Sequence, residues 1–180
     1  MSTDMSIAHP TATRLQALSA ADRAAFAARL GGIFEHSPWI AERAWAARPF
    51  ESVAALHRAM LAVLETASPD EQLGVIRAHP ELAGKEAAAG TLTADSTSEQ
   101  RGAGLDRCSA DELAKLRRLN AAYHERFGFP FVMAVKGRSK FEIMDALDAR
   151  LGNDRDTEFR TCLAEIGKIA RFRLDAMFAD

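Results

Sequence analysis

Cysteine is nearly missing from this 180-residue chain: Cys108 and Cys162 are far apart and form no C-x-x-C pattern. That argues against a disulfide framework or a cysteine-built zinc site and makes a reducing compartment the expected one. No charge of one sign dominates. Lys and Arg number 23 against 25 Asp and Glu, a formal net charge of −2, so no basic excess draws the chain to nucleic acid or anionic lipid. Long apolar runs are absent, and the N-terminus lacks the basic start and apolar stretch of a secretory signal. A cytoplasmic protein without membrane contact is therefore expected. The five histidines (His9, His36, His57, His79 and His124) have no H-x-x-x-H or H-E-x-x-H spacing, so no metal site is expected. A G-x-S-x-G elbow, a P-loop and a G-x-G-x-x-G fingerprint are missing as well.

Strand signals are equally scarce. The one candidate, FPFVMAV at 129–135, contains Pro130, which cannot donate to a central ladder, and it has no partner strand in the sequence. It reads as an extended connection crossing the core between two helices. Residues 80–95, with two glycines and weak periodicity, read as a second irregular stretch.

What the sequence does contain is helix punctuation. Ser19, Ser37 (followed by Pro38) and Ser52 each precede a helical pattern. Ser68 with Glu71, Ser109 with Glu112 and Ser139 with Glu142 have capping-box spacing, while Gly128 and Gly152 stand where helices should end. The expected fold is all-α: one domain over residues 1–180, an irregular bundle of about eight helices, with residues 1–11 as a flexible tail.

In the last helix, roughly 154–178, Phe159, Cys162, Ile166, Ile169 and Met177 advance by threes and fours and mark one face. Arg173 falls on the centre of that face, and Arg171 on the opposite side. A guanidinium amid an apolar stripe needs a partner, either a structural carboxylate or an anionic ligand.

Two polar clusters can carry chemistry. In RAHPELAGK (77–85), His79 sits where Pro80 must stop a helix; it serves either as a capping residue or as a proton carrier. In DSTSEQRGAG (95–104), Asp95 or Ser96 can cap a short helix with Glu99 and Gln100 in its first turn. Alternatively Ser96, Glu99 and Gln100 offer hydroxyl, carboxylate and amide groups to a polar small molecule, with a carboxylate able to polarise a histidine.

Together FEHSPWIAERAW, HPELAGK, LTADSTSEQRGAGLD, FGFPFVMAVKG and EIGKIARFRL occur in the order seen in the 2-oxo-4-hydroxy-4-carboxy-5-ureidoimidazoline (OHCU) decarboxylases, which the chain resembles over roughly residues 12–178. The resemblance implies an all-α, cofactor-free and commonly dimeric enzyme making (S)-allantoin at the last step from urate. It implies that His79 is the catalytic histidine, with Pro80 beside it, and that Glu99 is the catalytic carboxylate. It further implies that Ser96, Thr97, Ser98 and Gln100 hold the substrate and that Phe131, Val132, Met133, Ala134 and Val135 line the pocket through their backbone. The family's C-terminal arginine, a third catalytic residue that acts as an electrostatic partner, falls on Arg173, with Arg171 as the alternative. A different cyclic-ureide enzyme, an isomerase or hydrolase, and a non-catalytic ureide-binding module are the competing readings.

Overall fold

The computed structural model describes residues 10–179, and among these the sequence's capping signals set most helix boundaries. Ser52 accepts from the Ala55 amide and opens one helix, and Ser68, Ser109 and Ser139 each close a reciprocal capping box with Glu71, Glu112 and Glu142. Gly128 ends a helix at φ +79°, a left-handed conformation that costs a residue without Cβ nothing.

Ten α-helices result, with no strand among the described residues. In order they are α1 Pro10–Ala20, α2 Arg23–Leu30, α3 Trp39–Ala44, α4 Val53–Glu65, α5 Pro69–Ala78, α6 Lys85–Ala89, α7 Ala94–Gly102, α8 Ala110–Phe127, α9 Lys140–Arg150 and α10 Arg155–Phe178. Short 3-10 turns lie at Trp45–Ala47 and Leu105–Arg107. The all-α expectation holds, with more helices than the eight expected. The short α6 has too few residues to show a period, and it interrupts the stretch 80–95 that reads as irregular. The expected tail at 1–11 lies mostly outside the described residues; Pro10 and Thr11 form the first turn of α1.

Several sequence signals act differently from expectation. Ser19 is inside α1 and accepts from the Phe50 amide at 3.0 Å, while Asp22 caps α2 instead. Ser37 donates to the Glu35 carbonyl rather than accepting from α3. Gly152 follows α9 without a left-handed φ. On α10, Met177 is exposed and Phe178 buried, so the apolar stripe ends one residue later than expected.

Of the described residues, 10–67 together with 170–179 form one compact unit, and Ser68–Ile169 form a second. In the first, α2, α3 and α4 pack in sequence, Phe26 stacks on Phe50 at 5.8 Å, and the Trp45 indole donates to the Ala21 carbonyl. Thr11 and Arg14 of α1 donate to carbonyls at the end of α10. In the second, Leu116, Leu119, Asn120, Tyr123 and Phe127 form the buried stripe of α8. Tyr123 meets Phe127, Phe129 and Phe131 at ring separations of 4.6, 6.2 and 5.4 Å. Residues 130–135 run without helix, strand or turn between α8 and α9, as their pattern predicts, and all but Met133 are buried.

Candidate active site

The second unit contains His79, and α5 places it. Its backbone turns to φ −77°, ψ +133° as the cap of α5, the extended conformation that a following proline imposes. His79 is 7% exposed, and its Nδ1 lies 2.9 Å from the carbonyl of Val75, one turn back. A carbonyl only accepts, so Nδ1 carries the hydrogen and Nε2 is the nitrogen whose protonation can change.

The loop after His79 is held under strain. Ala83 adopts φ +49°, a left-handed conformation that costs a side-chain-bearing residue about 1–2 kcal/mol. Gly84 approaches so closely that a Cβ there would meet the Cβ of Glu81 at 2.7 Å, which explains the glycine. Two buried amides stabilise this shape. Gln100 Oε1 accepts from the Ala83 amide at 2.9 Å, and Asn120 Nδ2 donates to the Leu82 carbonyl at 2.9 Å. Asn120 Oδ1 is buried and has no partner.

Helix α7 supplies the second polar cluster. Thr93 caps it by accepting from the Ser96 amide, so neither Asp95 nor Ser96 is the cap, and Glu99 and Gln100 fall in the second turn. Ser96 and Gln100, four residues apart, are on the buried face; Glu99 is half-buried. Thr97 is half-buried and donates to the Thr93 carbonyl, while Ser98 is exposed. The bond from Ala83 to Gln100 thus joins the loop following His79 and Pro80 to the helix bearing Glu99. It also engages the Gln100 side-chain oxygen.

The segment Phe131–Val135 belongs to the same unit. The Val132 carbonyl accepts from Arg150 and the Ala134 amide donates to Glu165, each at 2.8 Å. Arg150 is held in turn by the fully buried Glu158, which also takes the Tyr123 hydroxyl and the Asn153 amide. Burial alone raises a carboxyl's pKa, but the bonds from Arg150, Tyr123 and Asn153 outweigh it and hold Glu158 below the ordinary value. Burial, aided by neighbouring Cys162, pushes the Tyr123 hydroxyl up, so it stays protonated and donates. Both cysteines are free thiols.

Arg173 lies in the first unit, where its Nη1 donates to Glu35 Oε2 at 2.7 Å and to the Gly32 carbonyl at 3.4 Å. The inward position read from periodicity is correct, and the carboxylate partner is Glu35. Arg171 is more exposed and pairs with Asp175 one turn on.

Sequence reasoning missed Asn120, Arg150, Glu158 and Glu165. The first three had a signal. Asn120 is on the α8 stripe with Leu116 and Tyr123; Arg150 continues Ile143 and Leu147; Glu158 precedes Cys162 by four residues. Each is a polar residue within an apolar period, the criterion that singled out Arg173. Glu165 is half-buried and gave no such signal.

With this geometry established, comparison with known proteins places the chain. The family model for OHCU decarboxylase matches residues 19–175. Over 145 residues the chain is 49% identical to the uric acid degradation bifunctional protein of Bacillus subtilis; the match covers 81% of this chain and 28% of that protein. It is 44% identical over 165 residues to the 2-oxo-4-hydroxy-4-carboxy-5-ureidoimidazoline decarboxylase of Haloferax volcanii, covering 92% of this chain and 96% of that one. The crystal structure of (S)-allantoin synthase is similar at TM-score 0.70 and 30% identity, over 90% of this chain and 53% of the other. The chain thus spans under a third of the bifunctional relative, but nearly the whole of the archaeal decarboxylase. By the extent of the family match and by these identities, the chain belongs to the OHCU decarboxylase family.

Proposed function

We propose that this chain decarboxylates 2-oxo-4-hydroxy-4-carboxy-5-ureidoimidazoline to (S)-allantoin and carbon dioxide, with His79 as the acid–base group and Glu99 as its polariser or as a partner of the substrate hydroxyl. The observation carrying this reading is the family match across residues 19–175. The hydrogen bond from His79 to Val75 supports the assignment of His79, because it fixes which ring nitrogen exchanges the proton.

Decarboxylation leaves an electron pair behind, and this substrate has its own place for it. As the bond from the ring carbon to the carboxylate breaks, its electrons form a double bond to the ureido-bearing carbon. The adjacent ring C=N electrons move onto nitrogen, which takes a proton. The intermediate is an enol; losing its hydroxyl proton and gaining one at the ureido-bearing carbon gives allantoin. One enantiomer results when that proton arrives from one face. The protein's tasks are orientation, a positioned proton carrier and hydrogen bonds to developing charge. Ser96, Thr97, Ser98 and Gln100 of α7, Pro80, and the backbone of Phe131–Val135 are the groups we assign to holding the substrate. The reading requires no added cofactor, so activity should survive exhaustive chelation. The family resemblance also supports a homodimer in the cytoplasm, which sedimentation velocity and cell fractionation test.

The deciding experiment is chiral analysis of allantoin formed from freshly generated substrate, with and without the chain. An excess of the S enantiomer only with the chain is expected; racemic product in both samples overturns the proposal. His79→Asn, which retains hydrogen bonding but cannot exchange protons at neutral pH, should lower turnover by about 10²–10⁴-fold while the thermal melt is retained. Wild-type turnover in that variant would make His79 only a cap.

A further inference from the structure

Phe131–Val135 is buried apart from Met133 yet belongs to neither helix nor sheet, so no regular ladder satisfies its peptide groups. Side chains from α9 and α10 take that role: Arg150 holds the Val132 carbonyl and Glu165 holds the Ala134 amide. In an extended chain the N–H and C=O of one residue point to one edge, and those of the next residue to the other. The Val132 carbonyl and the Ala134 amide thus point to Arg150 and Glu165, an extended segment turns the polar groups of Phe131 and Met133 the opposite way, and the Val135 carbonyl is taken by the Arg138 amide at 3.0 Å. A slip of one residue would exchange the two sets.

We propose that Arg150 and Glu165 are positioning residues of the reaction: by fixing the register of Phe131–Val135 they decide which peptide groups face the substrate. This rests on the decarboxylase reading for the identity of the ligand. A cyclic ureide offers ring N–H and C=O groups in a rigid array, so it binds a donor–acceptor edge only when that edge is held at fixed spacing. Arg150 is built to be immobile. Its Nε and Nη2 grip Glu158 at 2.9 and 2.8 Å, and its guanidinium carbon lies 4.4 Å from the centre of the Phe131 ring. Glu165 is tethered from behind by the Lys168 ammonium.

Because removing Arg150 strands a buried carboxylate and can unfold the chain, the Glu165 variants decide the matter. Glu165→Ala removes the acceptor, and Glu165→Gln retains one. The measurements are kcat and KM on freshly generated substrate, affinity for (S)-allantoin, exchange of the Ala134 amide hydrogen, and thermal melting. For Glu165→Ala we expect kcat/KM lower by about tenfold or more, carried mainly by KM because ground state and transition state lose the same contacts. (S)-allantoin affinity should fall in parallel, with faster Ala134 exchange. Glu165→Gln should remain close to wild type. Wild-type KM and allantoin affinity in a folded Glu165→Ala protein whose Ala134 amide exchanges faster would overturn the proposal. Equal damage from Glu165→Gln would do the same. If the wild type gives no excess of (S)-allantoin yet binds it, the decarboxylase reading fails while the affinities still decide the positioning claim. A wild type that neither forms an excess of (S)-allantoin nor binds it overturns both.

Discussion

Arg173 of the first unit and Arg150 of the second each bring a guanidinium to a buried glutamate, but the two pairs are built differently. Arg173 directs its Nη1 at Glu35 Oε2 and at the Gly32 carbonyl. Arg150 lays Nε and Nη2 on Glu158 as a fork and sends Nη1 to a backbone carbonyl, while Tyr123 and Asn153 donate to the same carboxylate. The first joins residues 138 apart in sequence; the second joins neighbours across the short connection from α9 to α10. Burying a charge costs several kcal/mol unless the remaining lone pairs are satisfied, and around Glu158 four donor groups do that. The consequence is chemical as well as structural. The network that makes burial of Glu158 tolerable is the one that holds Val132, so the stability of the second unit and the shape of the proposed substrate segment depend on the same residues.

The strongest way to break this comparison is Arg150→Met, which leaves Glu158 buried without its counter-charge. A loss of about 3–5 kcal/mol is expected in urea denaturation, with melting lower by roughly 10 °C. Double replacements sharpen the contrast. Arg173→Met with Glu35→Leu should regain most of what Arg173→Met loses alone, as apolar substitutes for buried pairs often do. Arg150→Met with Glu158→Leu should regain less, because the Val132 carbonyl, the Tyr123 hydroxyl and the Asn153 amide all lose partners. Equal recovery in the two cycles would show that the pairs are energetically alike.

Acid provides a gentler probe. The folded protein holds Glu158 below the ordinary glutamate value, so the unfolded chain takes up its proton first as pH falls. Its contribution is therefore fully present above about pH 4.3 and is lost as pH drops through the lower folded value. The half-buried Glu112 and the exposed Glu142 and Asp154 are lowered by their own hydrogen bonds and add to the same slope. Urea midpoints between pH 7 and 3 should decline less steeply in Glu158→Gln than in wild type; an unchanged slope would mean that Glu158 does not titrate differently on folding. The smallest effect belongs to the exposed pair on α10. Arg171→Lys retains the charge opposite Asp175 and should shift stability by less than about 0.5 kcal/mol, whereas Arg173→Lys removes the buried guanidinium that Glu35 and the Gly32 carbonyl share and should cost measurably more.

These contrasts follow the boundary between what the chain could and could not say about itself. Ser52, Ser68, Ser109, Ser139 and Gly128 act where the sequence places them, because a cap joins groups three or four residues apart and needs nothing from the rest of the molecule. Ser19 follows the same pattern and fails, because the Phe50 amide, 31 residues away, reaches its hydroxyl. Thr93 wins the cap of α7 from Asp95 and Ser96, a choice among adjacent residues that propensity cannot rank. The family, too, was legible from the order of its segments. Helical period told that Arg173 points inward, and the same test applied to Asn120, Arg150 and Glu158 would have shown them as polar residues on apolar stripes. Their partners were out of reach. That Gln100 and Asn120 clamp the strained loop after His79, that Glu35 answers Arg173, and that Glu165 holds the Ala134 amide are decided by which elements pack together. Periodicity belongs to a single helix, whereas a buried polar group's partner is selected in three dimensions, where residues distant along the chain become neighbours and each must satisfy the other.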